Sequence, residues 1–182
     1  MQAARGASLS PSDPVTGHRP TRRLRGLFGI VALTAYLLDL GTKQWALGAL
    51  REGDIAVLGD WFSLHLTFNP GAAFSTGTRF TIVFTFLAMA AVLVVLWLSR
   101  RLGSPLWAVG LGLLLGGVAG NLTDRLMRDP APLRGHVVDF LMLPHWPVFN
   151  LADVCINVAA GVIIVQTVRG VTLSGARAEA DS

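Results

Sequence analysis

FTIVFTFLAMAAVLVVLWL (residues 80–98) and LGSPLWAVGLGLLLGGVAGNLT (residues 102–123) run for 19 and 22 residues without an ionisable side chain. At 1.5 Å per helical residue, either stretch spans a hydrocarbon core about 30 Å thick, whereas helices buried in soluble cores usually carry apolar runs of only about 10–14 residues. Two further stretches repeat the pattern with charge embedded in it. Residues 26–50 contain only Asp39 and Lys43, and residues 148–168 only Asp153. The chain therefore reads as an all-α integral membrane protein with four transmembrane helices. A cleaved signal peptide is the rival for the first span, with Arg22, Arg23 and Arg25 ahead of an apolar run from Leu27 to Leu38. Asp39 and Lys43 interrupt the approach to the weak cleavage-like triplet Ala46-Leu47-Gly48, which favours a retained helix.

The 182 residues suffice for one compact bundle, and 14% charged residues is well below the roughly 25% of soluble domains. A net charge of +4 invites a nucleic-acid reading, which the distribution of charge rejects. Arg5, Arg19, Arg22, Arg23 and Arg25 precede the first span, Arg100 and Arg101 fill the turn between the second and third, and Arg169 and Arg177 follow the fourth. Alternating spans put all of these on one side, which the positive-inside rule makes cytoplasmic. A single cysteine, Cys155, excludes an internal disulfide and a Cys-cluster metal site.

Residues 1–23 and 171–182 read as disordered cytoplasmic tails, the first rich in Ser, Pro and Gly and without apolar period. Between spans one and two, Asp54 to Phe74 alternates apolar and polar residues, as expected of a small extracytoplasmic β-element with Trp61 and Phe62 at headgroup level. Between spans three and four, Arg125 to Pro147 reads as a Pro-rich excursion. Gly112, Gly116 and Gly120 recur at every fourth residue of the third span, a stripe that lets another helix approach closely.

Ionisable groups at membrane depth cost at least roughly 2.5–3.5 kcal/mol each, so each one needs a reason. Asp39 and Lys43, at i and i+4, can pair on one helix face. Asn121 shares a face with both Asp124 and Arg125, which as neighbours diverge and should hold different segments. Asp139, in His136-Val137-Val138-Asp139-Phe140, and Asp153, in Phe149-Asn150-Leu151-Ala152-Asp153, have no basic neighbour between them except His145. Two carboxylates brought together at a partly dehydrated boundary cannot both ionise cheaply and should share a proton. Such a pair suits peptide hydrolysis, one member as general base to water and the other as general acid. It also suits a proton relay or a buried hydrogen-bond hub. Ser75 lacks a nucleophile elbow, the four histidines lack zinc spacing, and Asp39 would keep Lys43 too protonated for a Ser-Lys dyad.

The run Asn69-Pro70-Gly71-Ala72-Ala73-Phe74-Ser75, then Gly120-Asn121-Leu122-Thr123-Asp124-Arg125, Val137-Val138-Asp139-Phe140 and Phe149-Asn150-Leu151-Ala152-Asp153, preceded by Asp39 with Thr42-Lys43, resembles the lipoprotein signal peptidases (signal peptidase II). The resemblance covers about residues 24–170, in order and on the four-span frame. It implies an intramembrane aspartyl protease of the bacterial plasma membrane, with both termini cytoplasmic and the active site near the extracytoplasmic face. Such an enzyme removes the signal peptide from diacylglyceryl-modified prolipoproteins, cutting just before the lipidated cysteine. Carried over, Asp139 and Asp153 form the catalytic pair. Asn69, Gly71, Asn121, Arg125 and Asn150 line the site, with Asp124, Asp39 and Lys43 supporting it. No metal or cofactor is implied. Partners are the lipidated substrates, membrane lipids and globomycin-type inhibitors. Two features depart from the family pattern: the long N-terminal segment, and the stretch Arg128 to Leu133, which lengthens the path from Arg125 to Asp139. The rival from another class is a small proton-coupled membrane transporter using Asp39, Asp139 and Asp153. A transport path needs groups through the midplane, and all three lie toward the outer half.

The arginine asymmetry predicts topology directly. Reporter fusions after Arg101 and after Arg177 should be active only with cytoplasmic reporters, and fusions near Asp60 or Pro132 only with extracytoplasmic ones. An extracytoplasmic signal after Arg177 would break the even span count.

Overall fold

The computed structural model describes residues 22–71 and 80–177; Ser75, with Ala72 to Phe74, residues 1–21 and residues 178–182, lies outside them. Four long helices form in chain order: α1 (Arg22–Ala49), α2 (Thr81–Leu98), α3 (Pro105–Met127) and α4 (Leu151–Val168). All four are long and apolar enough to cross a membrane. Burial follows that role. Ile30, Leu33, Leu93, Ile164 and Val168 point outward, each more than half exposed, while the buried set includes Asp39, Lys43, Asp124 and Asn150. A helix in lipid presents apolar side chains outward and turns its polar groups toward its neighbours.

The central helix is α3, which packs against each of the other three. Its glycines make this possible. A Cβ at Gly116 would lie 2.6 Å from the Ala32 carbonyl oxygen and the Ala35 side chain, and a Cβ at Gly120 would collide with the Asp39 carboxylate. The stripe read from sequence therefore seats α1. Pro105 occupies the first turn of α3, where its missing N–H costs nothing.

Three antiparallel strands, β1 (Ile55–Leu58), β2 (Phe62–Asn69) and β3 (Val137–Met142), form one sheet in the order β1-β2-β3. The expected hairpin between the first two spans is present. Its third strand comes from the other long connection, which the sequence reading left as an excursion. Val137 to Phe140 are all buried, so β3 lacks the alternation that marks a half-exposed strand. Thr67 of β2 stands opposite Asp139 of β3.

The segment after Gly170, expected to be unstructured, is ordered through residue 177. Val171 bridges Arg177, the Gly103 amide donates to the Leu173 carbonyl at 2.8 Å, and Trp107 Nε1 donates to the Val171 carbonyl at 2.9 Å. Backbone carbonyls hold this turn, and no apolar period announces such contacts.

A buried ion cluster ties the helices to the sheet. Lys43 is fully buried, and its three N–H groups meet three acceptors: Asp39 Oδ2 at 2.8 Å, Asp124 Oδ2 at 2.9 Å and Asn121 Oδ1 at 2.9 Å. The i,i+4 pair expected from sequence is present, extended by two groups of α3. Asp39 Oδ1 accepts the Ala152 amide of α4 at 2.9 Å, and Asp124 Oδ2 accepts the Val138 amide of β3 at 3.2 Å. Arg128, at the end of α3, pairs with Asp124 Oδ1.

Lys43→Met strands the buried Asp39 carboxylate, leaves Asp124 to Arg128 alone, and should cost about 3–5 kcal/mol. Asp39→Asn leaves Lys43 paired with Asp124 and should cost less. Adding Asp39→Asn to Lys43→Met should recover part of the loss. Thermal unfolding of the three variants in detergent checks the order, and equal losses for the two single changes contradict the cluster.

Candidate active site

Asp153 owes its place to the start of α4. Asn150 is the N-cap residue: its side-chain Oδ1 accepts the Asp153 amide at 2.9 Å, and Asp153 Oδ2 accepts the Asn150 amide at 3.1 Å. This reciprocal capping box satisfies two amides that the helix cannot. It explains the three-residue spacing of Asn150 and Asp153. The other oxygen, Asp153 Oδ1, accepts Asn121 Nδ2 from α3 at 2.9 Å.

The cap also reaches the second carboxylate. Asn150 Nδ2 donates to Asp139 Oδ1 at 2.6 Å and to Asn121 Oδ1 at 3.0 Å. Asp139 Oδ2 accepts Asn69 Nδ2 at 2.9 Å. Asn69 sits diagonally from Asp139 across β2 and β3, within reach on the same face of the sheet. A local turn aims the Asn69 amide: its Oδ1 accepts the Gly71 amide at 2.8 Å, and Gly71 adopts φ +122°, where a side chain is strained. The Asn69-Pro70-Gly71 run is thus a device for turning one amide toward Asp139. The Thr81 hydroxyl, at the start of α2, donates to the Pro70 carbonyl and fastens the turn.

Asp139 is almost wholly buried, and Asp153 is partly exposed. Burial pushes the Asp139 carboxyl up to about 6, with the Asp153 charge adding to the rise; hydrogen bonds from Asn69 and Asn150 and the charge of Lys43 pull the other way. Lys43 touches neither carboxylate of the pair among its three contacts, so its charge acts from a distance.

Arg125 stands beside this arrangement in the last turn of α3. Its guanidinium lies over Phe84 of α2, 5.9 Å from the ring centroid, and its Nη1 is against Gly71, where an added Cβ would be 3.3 Å away. The charges of Asp139, Asp153 and Asp124 act on it, yet among the described residues Nη1 is buried without a hydrogen-bond partner.

The structure gathers every residue singled out from sequence for the site. Asp139, Asp153, Asn69, Asn121 and Asn150 form one hydrogen-bonded set, Gly71 and Arg125 border it, and Asp39, Lys43 and Asp124 lie beneath it. Sequence reasoning missed Thr81, Phe84 and Thr85, all on the first turns of α2. Thr85 is fully buried and donates to the Leu133 carbonyl at 2.9 Å, so α2 also holds the lengthened connection. A hydroxyl in a charge-free span was the available signal.

Comparison with known proteins agrees with this geometry. A sequence model of the family described as signal peptidase (SPase) II matches residues 31–169. The chain is 45% identical over 177 residues to a lipoprotein signal peptidase of Mycobacterium avium (strain 104), covering 96% of this chain and 94% of that one. It is 46% identical over 158 residues to one from Streptomyces coelicolor, covering 86% and 77%. Among solved structures, a bacterial membrane enzyme determined by the in meso method at 2.3 Å shares the fold with a TM-score of 0.73 at 18% identity, over 92% of this chain and 99% of that one. A second, determined at 1.9 Å, gives a TM-score of 0.71 at 20% identity, over 85% and 98%. With the matched residues spanning all four helices, the sheet and the whole carboxylate site, the chain belongs to the signal peptidase II family.

Proposed function

We propose that this protein is an intramembrane aspartyl endopeptidase that removes the signal peptide from diacylglyceryl-modified prolipoproteins, cutting just before the lipidated cysteine, with Asp139 and Asp153 as its catalytic pair. The supporting observation is that one side chain, Asn150, bonds to Asp139 and to the backbone amide of Asp153, while among the described residues no cation pairs directly with either carboxylate. Within the family, the lipoprotein signal peptidases supply the substrate class.

The chemistry follows from the difference between the two environments. Asp139, buried and raised to about 6, protonates more readily than an ordinary carboxyl and in that form donates its proton to the scissile carbonyl oxygen. Asp153, open to solvent, takes a proton from the attacking water, whose oxygen bonds to the carbonyl carbon. In the collapse, Asp153 returns its proton to the leaving nitrogen as the C–N bond breaks. Asp139 recovers its own proton from the tetrahedral carbon's hydroxyl. The pair ends as it began. Arg125 Nη1, lacking an acceptor among the described residues, offers a donor to the substrate backbone. The site lies at one end of the helices beside the sheet, which suits a substrate anchored by lipid and signal helix at the extracytoplasmic face. The transporter reading gains nothing here: Asp39, Asp139 and Asp153 gather at one level instead of lining a path across the bundle.

Asp→Asn keeps size and hydrogen-bonding shape but ends proton exchange. Asp139→Asn and Asp153→Asn should each abolish release of the signal peptide from a lipidated preprolipoprotein, by mass measurement, and the double variant should be no worse. Globomycin-type cyclic peptides should block the parent, and chelators and serine-directed reagents should not. Turnover by purified Asp153→Asn at the parent rate would end the aspartyl reading.

Stability should carry the mark of Asp139. Its folded-state pKa lies above the ordinary carboxyl value of 3.8, so its protonated form favours the fold. That contribution is fully present below about pH 4 and is lost as pH rises through about 6. Asp139→Asn should therefore melt at or above the parent temperature at pH 7.5, with the difference shrinking toward pH 4. A variant markedly less stable than the parent at pH 7.5 contradicts the assignment.

A further inference from the structure

Arg128 belongs to no motif that the sequence singled out, and its contacts are specific. It ends α3, its backbone amide donates to the Asp124 carbonyl at 3.0 Å, and its Nε pairs with Asp124 Oδ1 one turn back. Asp124 is almost wholly buried, and Oδ2 is shared between Lys43 and the Val138 amide, the latter at the longer distance of 3.2 Å. Val138 immediately precedes Asp139.

Charge balance gives Arg128 its importance. The buried cluster holds two carboxylates, Asp39 and Asp124, and Lys43 neutralises only one of them. Arg128 supplies the second positive charge. Without it, Asp124 is drawn toward Lys43, and its weakest partner, the Val138 amide, loses its acceptor.

Arg128 does not reach the reacting atoms. Together with Phe68, Met127, Asp129, Pro130 and His136 it lines a cleft of about 580 Å³. Phe68 alternates with Asn69 along β2 and so faces away from the side on which Asn69 meets Asp139. Arg128 thus shares a cleft with the residue of β2 that faces away from the Asn69–Asp139 contact. We propose that Arg128 is a positioning residue: by clasping Asp124 it fixes the Val138 amide, and through it the placement of Asp139 opposite Asn150. This rests on the catalytic reading of Asp139, but its structural half can be read without turnover.

Arg128→Lys and Arg128→Gln are similar in length and differ in charge. Steady-state cleavage of a lipidated preprolipoprotein in detergent should show Arg128→Gln losing about ten-fold in kcat with KM unchanged. Arg128→Lys should stay within about three-fold of the parent. Residue-resolved hydrogen exchange should show the Val138 amide exchanging about ten-fold faster in Arg128→Gln, while the Ala152 amide, held by Asp39, keeps the parent rate. Parent kcat in Arg128→Gln overturns the proposal, as does an equal loss in Arg128→Lys or an unchanged Val138 amide. A parent protein that cleaves nothing would instead overturn the proposed function, and the exchange comparison would still decide whether Arg128 holds Val138.

Discussion

A fully buried ammonium group is tolerable in a membrane bundle only when each of its three N–H groups has an acceptor, and Lys43 sets that condition for the whole structure. The acceptors come from its own helix and from α3, Asp39 on one side and Asp124 with Asn121 on the other. Meeting them fixes α1 against α3 in register and in distance. It also explains why position 120 is glycine, since the Asp39 carboxylate occupies the space of a Cβ. The small-residue stripe and the ion cluster are one constraint: close approach brings the charges into contact, and the charges hold the close approach.

The cluster then passes its order to the site by two parallel routes. Asp39 holds the amide of Ala152, and Asp124 holds the amide of Val138. Each of these residues immediately precedes one member of the carboxylate pair. Among the described residues the pair itself is touched by amides and not by cations: Asn150 and Asn69 bond Asp139, and Asn121 bonds Asp153. Under the proposed reaction this division has a chemical reason. A direct ion pair would favour the charged form of its carboxylate and oppose the proton exchange that acid–base work requires. A carboxamide orients a carboxyl group at a smaller cost to its freedom to titrate. Each amide has one orientation that fits all its partners. Asn121 accepts from Lys43 and Asn150 and donates to Asp153, and Asn150 accepts from Asp153 and donates to Asp139 and Asn121.

What was legible in the sequence tracks the range of the interaction. The spans were legible because lipid demands charge-free runs, and the Asp39-Lys43 pair because it lies within one helical turn. The Asn150-Asp153 spacing was visible as a regularity, and its cause, a capping box, is local. The link from Lys43 to Asp124 joins residues far apart in the chain, and no periodicity encodes it. β3 was missed because its neighbours cover both faces, which erases alternation. Thr81 and Thr85 were passed over because in a span a hydroxyl reads as a tolerated polar group. Here their partners are backbone carbonyls of two connections, Pro70 and Leu133.

The two cations near the site make the contrast between support and chemistry concrete. Lys43 has no exposure and every donor is used, so it has nothing left to offer a substrate. Arg125, packed on Phe84 and within the field of three carboxylates, keeps a buried nitrogen with no acceptor among the described residues. Leaving a buried donor unpaired costs roughly 1–3 kcal/mol or more for a charged group. A guanidinium held in that condition by its neighbours gains most from an incoming peptide carbonyl, because binding then removes a cost already present in the free protein. Under the proposed reaction, the saturated cation builds the frame and the unsaturated one meets the substrate. That difference follows from counting acceptors around each nitrogen, and it gives a physical reason for setting Arg125 at the site and Lys43 beneath it.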